Sequence, residues 1–257
     1  MARAKRHYIP GQVWHITHRC HKRAFLLKFA KDRSRWIEWL YRAKKRYRHL
    51  SVLDYMVTSN HIHLLLFDGG GDTAIPDSIK LVAGRTGQEY NLRKKRKGAF
   101  WQDRYHATAV EGNHHLRQCI AYIDMNMVRA GAVDHPEKWQ WCGYNEIQNP
   151  RKRKRIIDFD RLMGLLGFDT YEQLKNAHFK CIDSAMKDEN NSRKTKWSQS
   201  IAVGSEAYIK KIKEALGFRA RGRKICQVGD SFELRETMTP YGSADSYEVD
   251  NTILWDQ

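Results

Sequence analysis

No stretch of this chain approaches the roughly 18 to 20 consecutive apolar residues that a membrane-spanning helix needs, so the sequence offers no such span. Met1-Ala2-Arg3-Ala4-Lys5-Arg6 leads into no apolar signal segment, and the expectation is a soluble, cytoplasmic protein with no membrane partner. The five cysteines, Cys20, Cys119, Cys142, Cys181 and Cys226, are scattered, odd in number and contain no Cys-x-x-Cys pair. That argues against a zinc ribbon or a disulfide framework and leaves buried thiols as the reading. Gly69-Gly70-Gly71 is followed by no Gly-Lys-Ser/Thr, so it is a flexible break and not a phosphate loop. Acidic residues are also short: 29 Asp and Glu face 46 Lys and Arg, a net charge of +17.

That imbalance points to a polyanionic partner, nucleic acid first. The positive charge is clustered at Arg93-Lys94-Lys95-Arg96-Lys97, at Arg151-Lys152-Arg153-Lys154-Arg155, and at Arg219-Ala220-Arg221-Gly222-Arg223-Lys224. One such run is usually a solvated surface. Three of them among eight tryptophans and twelve tyrosines suit backbone contacts and base stacking. With 41% hydrophobic residues the chain can still build a core.

Hydrophobic period and breakers place the elements. Residues 12–20 and 51–57 read as strands, and residues 61–67 as a third strand joined to the second by a tight connection. Asp32 reads as the cap of a helix to about Arg48, and a second helix runs over about 77–95. Phe100-Trp101 and residues 104–111 suggest a further strand. Asn113 then caps a third helix that continues to Ala130 and stops at Gly131. The alternation predicts an α+β sandwich around a mainly antiparallel central sheet. Asn149-Pro150 and the run to Arg155 mark a boundary. Short helices over 158–166, 170–186 and 205–216 give a helical C-terminal extension, and residues 229–257 read only as accessory. The expected organisation is a catalytic domain over 1–150, a helical accessory region over 151–195, and a basic accessory region over 196–257.

Two patterns carry chemistry. Asn60-His61-Ile62-His63 puts two imidazoles on one face of a strand, because strand side chains alternate. Tyr122 and Asn126 are four residues apart on a helix and share a face. If the faces meet, they offer two imidazoles and an amide oxygen to a divalent ion, with a phenol beside it. Either pattern alone has a bland reading: a hydrogen-bonded histidine pair at a strand start, and a packing tyrosine. Tyr90, next to Asn91 and the first basic run, is a competing nucleophile for which packing is preferred. For Trp101, base stacking and packing stand level.

These residues resemble a known family. Asn60-His61-Ile62-His63-Leu64-Leu65 resembles the metal-binding strand of the HUH endonucleases, and residues 121–131 resemble the catalytic helix of their single-tyrosine transposase branch. That branch includes small insertion-sequence transposases and the REP-associated tyrosine transposases of bacteria. Gly98-Ala99-Phe100-Trp101-Gln102-Asp103-Arg104-Tyr105 is similar to the family's Gly-x-Leu-Trp-x-x-Arg-Tyr stretch. The likeness covers about residues 7–145. It departs at Ser59 and Met127, where proline is common, and in about a hundred extra residues after the core. The insertion-sequence enzymes are short and swap catalytic helices in a dimer. The added length resembles the REP-associated type and favours a monomer over a dimer.

The resemblance implies a ferredoxin/RRM-like HUH core. It implies that His61, His63 and Asn126 hold Mg²⁺ or Mn²⁺, and that Tyr122 attacks phosphorus to form a 5′-phosphotyrosine. The substrate is then single-stranded or hairpin (REP-like) DNA, which the chain nicks and rejoins. Arg93, Lys94, Lys95, Arg96, Lys97, Trp101, Arg104 and Arg129 are the expected DNA contacts. The alternative function is a transposase-derived hairpin or single-strand binder or repressor that does not cut.

Overall fold

The computed structural model describes residues 9–70, 74–188, 192 and 194–236. The first eight residues, Gly71 of the glycine break, part of the polar stretch around 189–193 and the tail from 237 lie outside the described residues. Seven strands form one sheet in the order β2-β3-β1-β4-β5-β7-β6. The strands are β1 (Val13–Arg19), β2 (Leu50–Val57), β3 (His61–Asp68), β4 (His106–Val110), β5 (Ala202–Gly204), β6 (Arg223–Val228) and β7 (Ser231–Glu236). All neighbours are antiparallel except β4 and β5, which run parallel. The fold is therefore mixed α+β around a mostly antiparallel sheet, as the alternation predicts.

Helices cover both faces. α1 (Ala30–Arg46) and α2 (Ala74–Arg93) pack on one face, where Trp36, Leu40, Ile79 and Val82 meet Ile62 and Leu64 of β3. The other face carries α3 (Asn113–Asp124), the single turn α4 (Asn126–Arg129), α5 (Gly143–Gln148), α6 (Phe159–Leu166) and α7 (Tyr171–Lys187). A strand covered on both sides buries both of its faces, and β2 is buried at every residue. β3 is buried from Ile62 to Asp68, with only His61 half-exposed.

Several boundaries differ from the sequence reading, each for a local reason. Phe29, not Asp32, precedes the first turn of α1, because the buried Asp32 carboxylate pairs with Arg93 from α2. Gly112 is the residue before α3, and Asn113 opens the helix with φ +52°. Trp101 makes only an isolated bridge to Cys20, and β4 starts at His106. The third helix does not run unbroken to Ala130. It breaks at Met125 (φ −75°, ψ 1°), although Gly131 ends the second piece as expected.

The C-terminal extension is helical over α6 and α7, with caps legible in the sequence. The Asp158 carboxylate accepts from Arg161 N, and Thr170 with Gln173 forms a capping box. It also contributes α8 (Lys196–Gln199), α9 (Glu206–Leu216) and three strands that join the same sheet. β5 is only three residues long and β6 is largely exposed. Neither offers the alternating apolar signal that marks a half-buried strand. Among the described residues no helix is long and apolar enough to cross a membrane.

Candidate active site

The site lies on the helix-covered face of β1 and β3 that α3 packs against. The antiparallel register sets His61 opposite Arg19 and His63 opposite Thr17. Alternation then sends Ile62 to the α1/α2 face and both imidazoles to the other. Their ring centroids are 5.0 Å apart and nearly perpendicular. The tight β2–β3 turn builds the first of them. Thr58 Oγ1 donates to the His61 carbonyl at 2.8 Å, so its remaining role toward the ring, 2.9 Å away, is to accept from Nδ1–H. Asn60 Oδ1 sits 2.7 Å from the same nitrogen. Both contacts place a proton on His61 Nδ1, so in the neutral ring the lone pair lies on Nε2.

His63 is 4% exposed. Burial, followed by the neighbouring His61 and His15, pushes its pKa well below the usual imidazole range. A neutral ring is the form that donates a lone pair to a metal. Its Nδ1 lies 2.9 Å from His15 Nε2, and its Nε2 lies 3.1 Å from the Asn126 amide.

Tyr122 projects from α3 onto this pair. Its ring centroid is 5.9 Å from that of His63 and 6.3 Å from that of His15, both edge-on. On its other side lies Trp197 of α8, at 6.2 Å. Arg129 of α4 stands over the phenol, its Cζ 4.3 Å from the ring centroid. Asn126 reaches His63 even though α3 breaks before it. Asp124, fully buried just before the break, accepts from Tyr144 N at 3.0 Å and lies 2.8 Å from His178 Nε2 of α7. Burial raises the Asp124 pKa, and the His178 hydrogen bond opposes that rise.

His61, His63, Tyr122, Asn126 and Arg129 therefore converge, although the two motifs are about sixty residues apart in the chain. Sequence reasoning missed His15 and Trp197. His15 lies on β1 two positions from Thr17, on the same face by strand alternation, but nothing local distinguishes it from a packing residue. Trp197 lies in a four-residue helix beyond a polar stretch.

The other expected DNA contacts sit elsewhere. Arg93 pairs with Asp32. Arg96 donates to Asn91 Oδ1 at 3.0 Å and to the Ala99 carbonyl at 2.8 Å, stapling the turn after α2. Lys94 lies 5.2 Å from the Phe29 ring centroid, while Lys95 and Lys97 are exposed. Trp101 stacks on His18 at 4.2 Å, and its indole N–H donates to the Ala83 carbonyl at 3.0 Å. Arg104 is exposed. This stretch borders the end of β1, where Gln102 N donates to the Arg19 carbonyl at 2.9 Å. Tyr90 packs against Phe100 and lines a cavity of about 370 Å³ between α1 and α2, across the sheet from the histidines.

The donor set suits a hard or borderline divalent ion: two imidazoles and an amide that can turn its oxygen inward. Amide orientation is assigned from hydrogen bonding, and a half-turn of Asn126 exchanges nitrogen for oxygen. Among the described residues no group of three or more His, Cys, Asp or Glu side chains could hold a metal, so a site here needs the amide.

Residues 10–126 match the profile of a family described as "Transposase IS200 like". No curated protein matches the chain. Among solved structures, the chain is similar to a REP-associated tyrosine transposase bound to a REP hairpin, with 20% identity, 57% of this chain and 84% of that chain covered, and a TM-score of 0.47. It is also similar to a candidate transposase from Deinococcus radiodurans R1, with 18% identity, 46% and 92% covered, and a TM-score of 0.33.

Proposed function

We propose, on the match of residues 10–126 to the model described as "Transposase IS200 like", that this chain cuts and rejoins single-stranded DNA at hairpins through Tyr122. The observation that carries the proposal is the packing of one phenol between a neutral histidine, His63, and a guanidinium, Arg129, within a single chain. One copy holds every element of the site, which supports action as a monomer.

Tyr122 Oη attacks the scissile phosphorus as the bond from phosphorus to the 3′-oxygen breaks. The phenol gives up its proton, the departing 3′-oxygen takes one up and leaves as a 3′-hydroxyl, and the 5′ side stays on the protein as a phosphotyrosine. A 3′-hydroxyl later attacks that linkage and restores a phosphodiester, so no high-energy cofactor is consumed. A free phenol ionises near pH 10, so a nearby cation helps it, and Arg129 provides one. His61, His63 and Asn126 would hold Mg²⁺ or Mn²⁺. When bound, such an ion supplies Lewis-acid polarisation of a phosphate oxygen. The Lys94–Lys97 stretch and Arg104 would follow the DNA backbone, with the cytoplasmic nucleoid as the place of action.

One observation favours a second reading. Tyr122 is only 7% exposed, which suits a transposase-derived repressor that binds a hairpin without cutting it. The test is incubation of labelled hairpin DNA with Mn²⁺ and either the natural protein or Tyr122→Phe. A metal-dependent labelled protein band, absent from the variant, supports the enzyme. Cleavage that survives the substitution points to water or Tyr90. Tight binding without an adduct supports the repressor.

A further inference from the structure

Four groups from four distant parts of the chain form one hydrogen-bonded line: Asn126, His63, His15 and the Trp197 carbonyl. The separations are 3.1 Å from Asn126 Nδ2 to His63 Nε2, 2.9 Å from His63 Nδ1 to His15 Nε2, and 2.8 Å from His15 Nδ1 to the carbonyl oxygen. The far end fixes the direction, because a carbonyl can only accept. His15 Nδ1 therefore carries a proton. His15 has no exposed surface and, among the described residues, no carboxylate partner, so a second proton would be an uncompensated buried charge. Its Nε2 is then an acceptor, His63 Nδ1 is the donor to it, and His63 Nε2 bears the lone pair.

From this line we propose that His15 is a positioning residue. It locks His63 in the Nδ1–H form and aims Nε2 at the place where Asn126 and His61 converge. The inference rests on the metal-dependent reading above. The two rings lie edge to edge, 5.1 Å between centroids and 5° from parallel, so His63 cannot turn without losing both bonds. Metal-binding imidazoles commonly depend on such a partner at the second nitrogen.

The proposal also gives the C-terminal extension a role. The Trp197 carbonyl is 182 residues from His15. It is held in place because Thr108 Oγ1 donates to the Ser200 carbonyl at 2.7 Å and Ala109 N donates to the Ile201 carbonyl at 2.8 Å. Trp197 itself is fully buried beside Tyr122. Residues 196–201 thus set the orientation of a ligand on β3 from the opposite end of the chain.

The test uses full-length protein with ¹⁵N-labelled histidine, free of metal and DNA, and then titration with Mn²⁺ alone. Imidazole nitrogen shifts should report a protonated Nδ1 and an unprotonated Nε2 for both His15 and His63. Mn²⁺ affinity should fall about 10- to 100-fold in His15→Phe, the range seen for loss of such partners. His15→Gln, whose amide oxygen can accept from His63, should recover most of it, and the shorter His15→Asn should not. If His15→Phe fails to fold, the Gln and Asn variants decide the matter.

A proton on His63 Nε2 overturns the proposal. So does unchanged Mn²⁺ affinity in a folded His15→Phe, and neither result touches the transposase reading. A natural protein that binds no Mn²⁺ sinks the metal-dependent reading itself, and with it the purpose assigned to His15.

Discussion

Arg129 holds Tyr122 twice: its guanidinium carbon lies 4.3 Å from the ring centroid, and its Nη2 donates to the Tyr122 carbonyl at 2.6 Å. The carbonyl bond anchors the cation, and the cation favours the ionised phenol. Arg129→Met should therefore slow adduct formation at least about tenfold, from about 1.4 kcal/mol of lost stabilisation. Arg129→Lys keeps the charge without the planar stack and should fall between. Single-turnover adduct rates measure this. A rate unchanged in Arg129→Met would remove the cation from the mechanism.

Chelation should separate cutting from binding. In the proposed function the imidazoles and amide hold the metal, while DNA affinity comes from the basic surface. EDTA should abolish the Tyr122 adduct and leave hairpin affinity within a few-fold, as read by gel shift beside a denaturing gel. Equal loss of both would mean that the metal organises the DNA-binding surface as well.

Burial of His15 lowers its pKa to about 3, against its hydrogen bond to Trp197, which raises it. The folded state therefore refuses a proton that the unfolded chain accepts below its ordinary value of 6.5. Stability is lost as pH falls from about 6.5 toward 3, by up to about 1.4 kcal/mol per pH unit from this group. Urea unfolding of His15→Gln should show a shallower acid slope across that window. Parallel slopes would place the acid sensitivity elsewhere.

Asp54 acts with the opposite sign. It is fully buried at the β2 bulge, accepts from Tyr55 N at 2.8 Å and leaves Oδ2 without a partner among the described residues. Burial, and then the nearby Asp124, raises its pKa well above 3.8. A carboxyl raised on folding loses stability as pH climbs from about 4. Asp54→Asn should raise unfolding free energy at pH 7 by about 1–3 kcal/mol, the cost range of a poorly satisfied buried group, and change it little at pH 4. Destabilisation at both pH values would assign the carboxylate a structural bond that an amide cannot make.

Binding should weaken steeply with salt, losing about a thousandfold between 50 and 200 mM if some six phosphates are contacted. Within the first basic run, Arg93 and Arg96 are engaged inside the protein. Lys94→Ala and Lys97→Ala should each lower the log–log salt slope by about 0.7–0.9. Arg96→Ala should instead loosen the turn it staples. Anisotropy titrations at several salt concentrations distinguish these outcomes, and a flat response would remove backbone contacts from the account.

Much of the site was legible in the sequence because two of its motifs are local. A two-residue period places His61 and His63 on one face of a strand. The helical period pairs Tyr122 with Asn126 within one turn, and that pairing survives the break at Met125 because the backbone recovers its helical path at once. Net charge, the absence of a span and the α+β alternation also need only composition and period. What tertiary structure alone decided is which distant groups meet. Asp32 turns to Arg93 instead of capping α1, Trp101 stacks on His18, and β5 to β7 extend the sheet from a stretch with no strand signal. His15 and the Trp197 carbonyl reach His63 only because β1 pairs with β3 and the chain returns beside β4. The physical reason is that side-chain alternation and helical period act over a few residues, whereas a hydrogen bond across 182 residues depends on how the whole sheet closes.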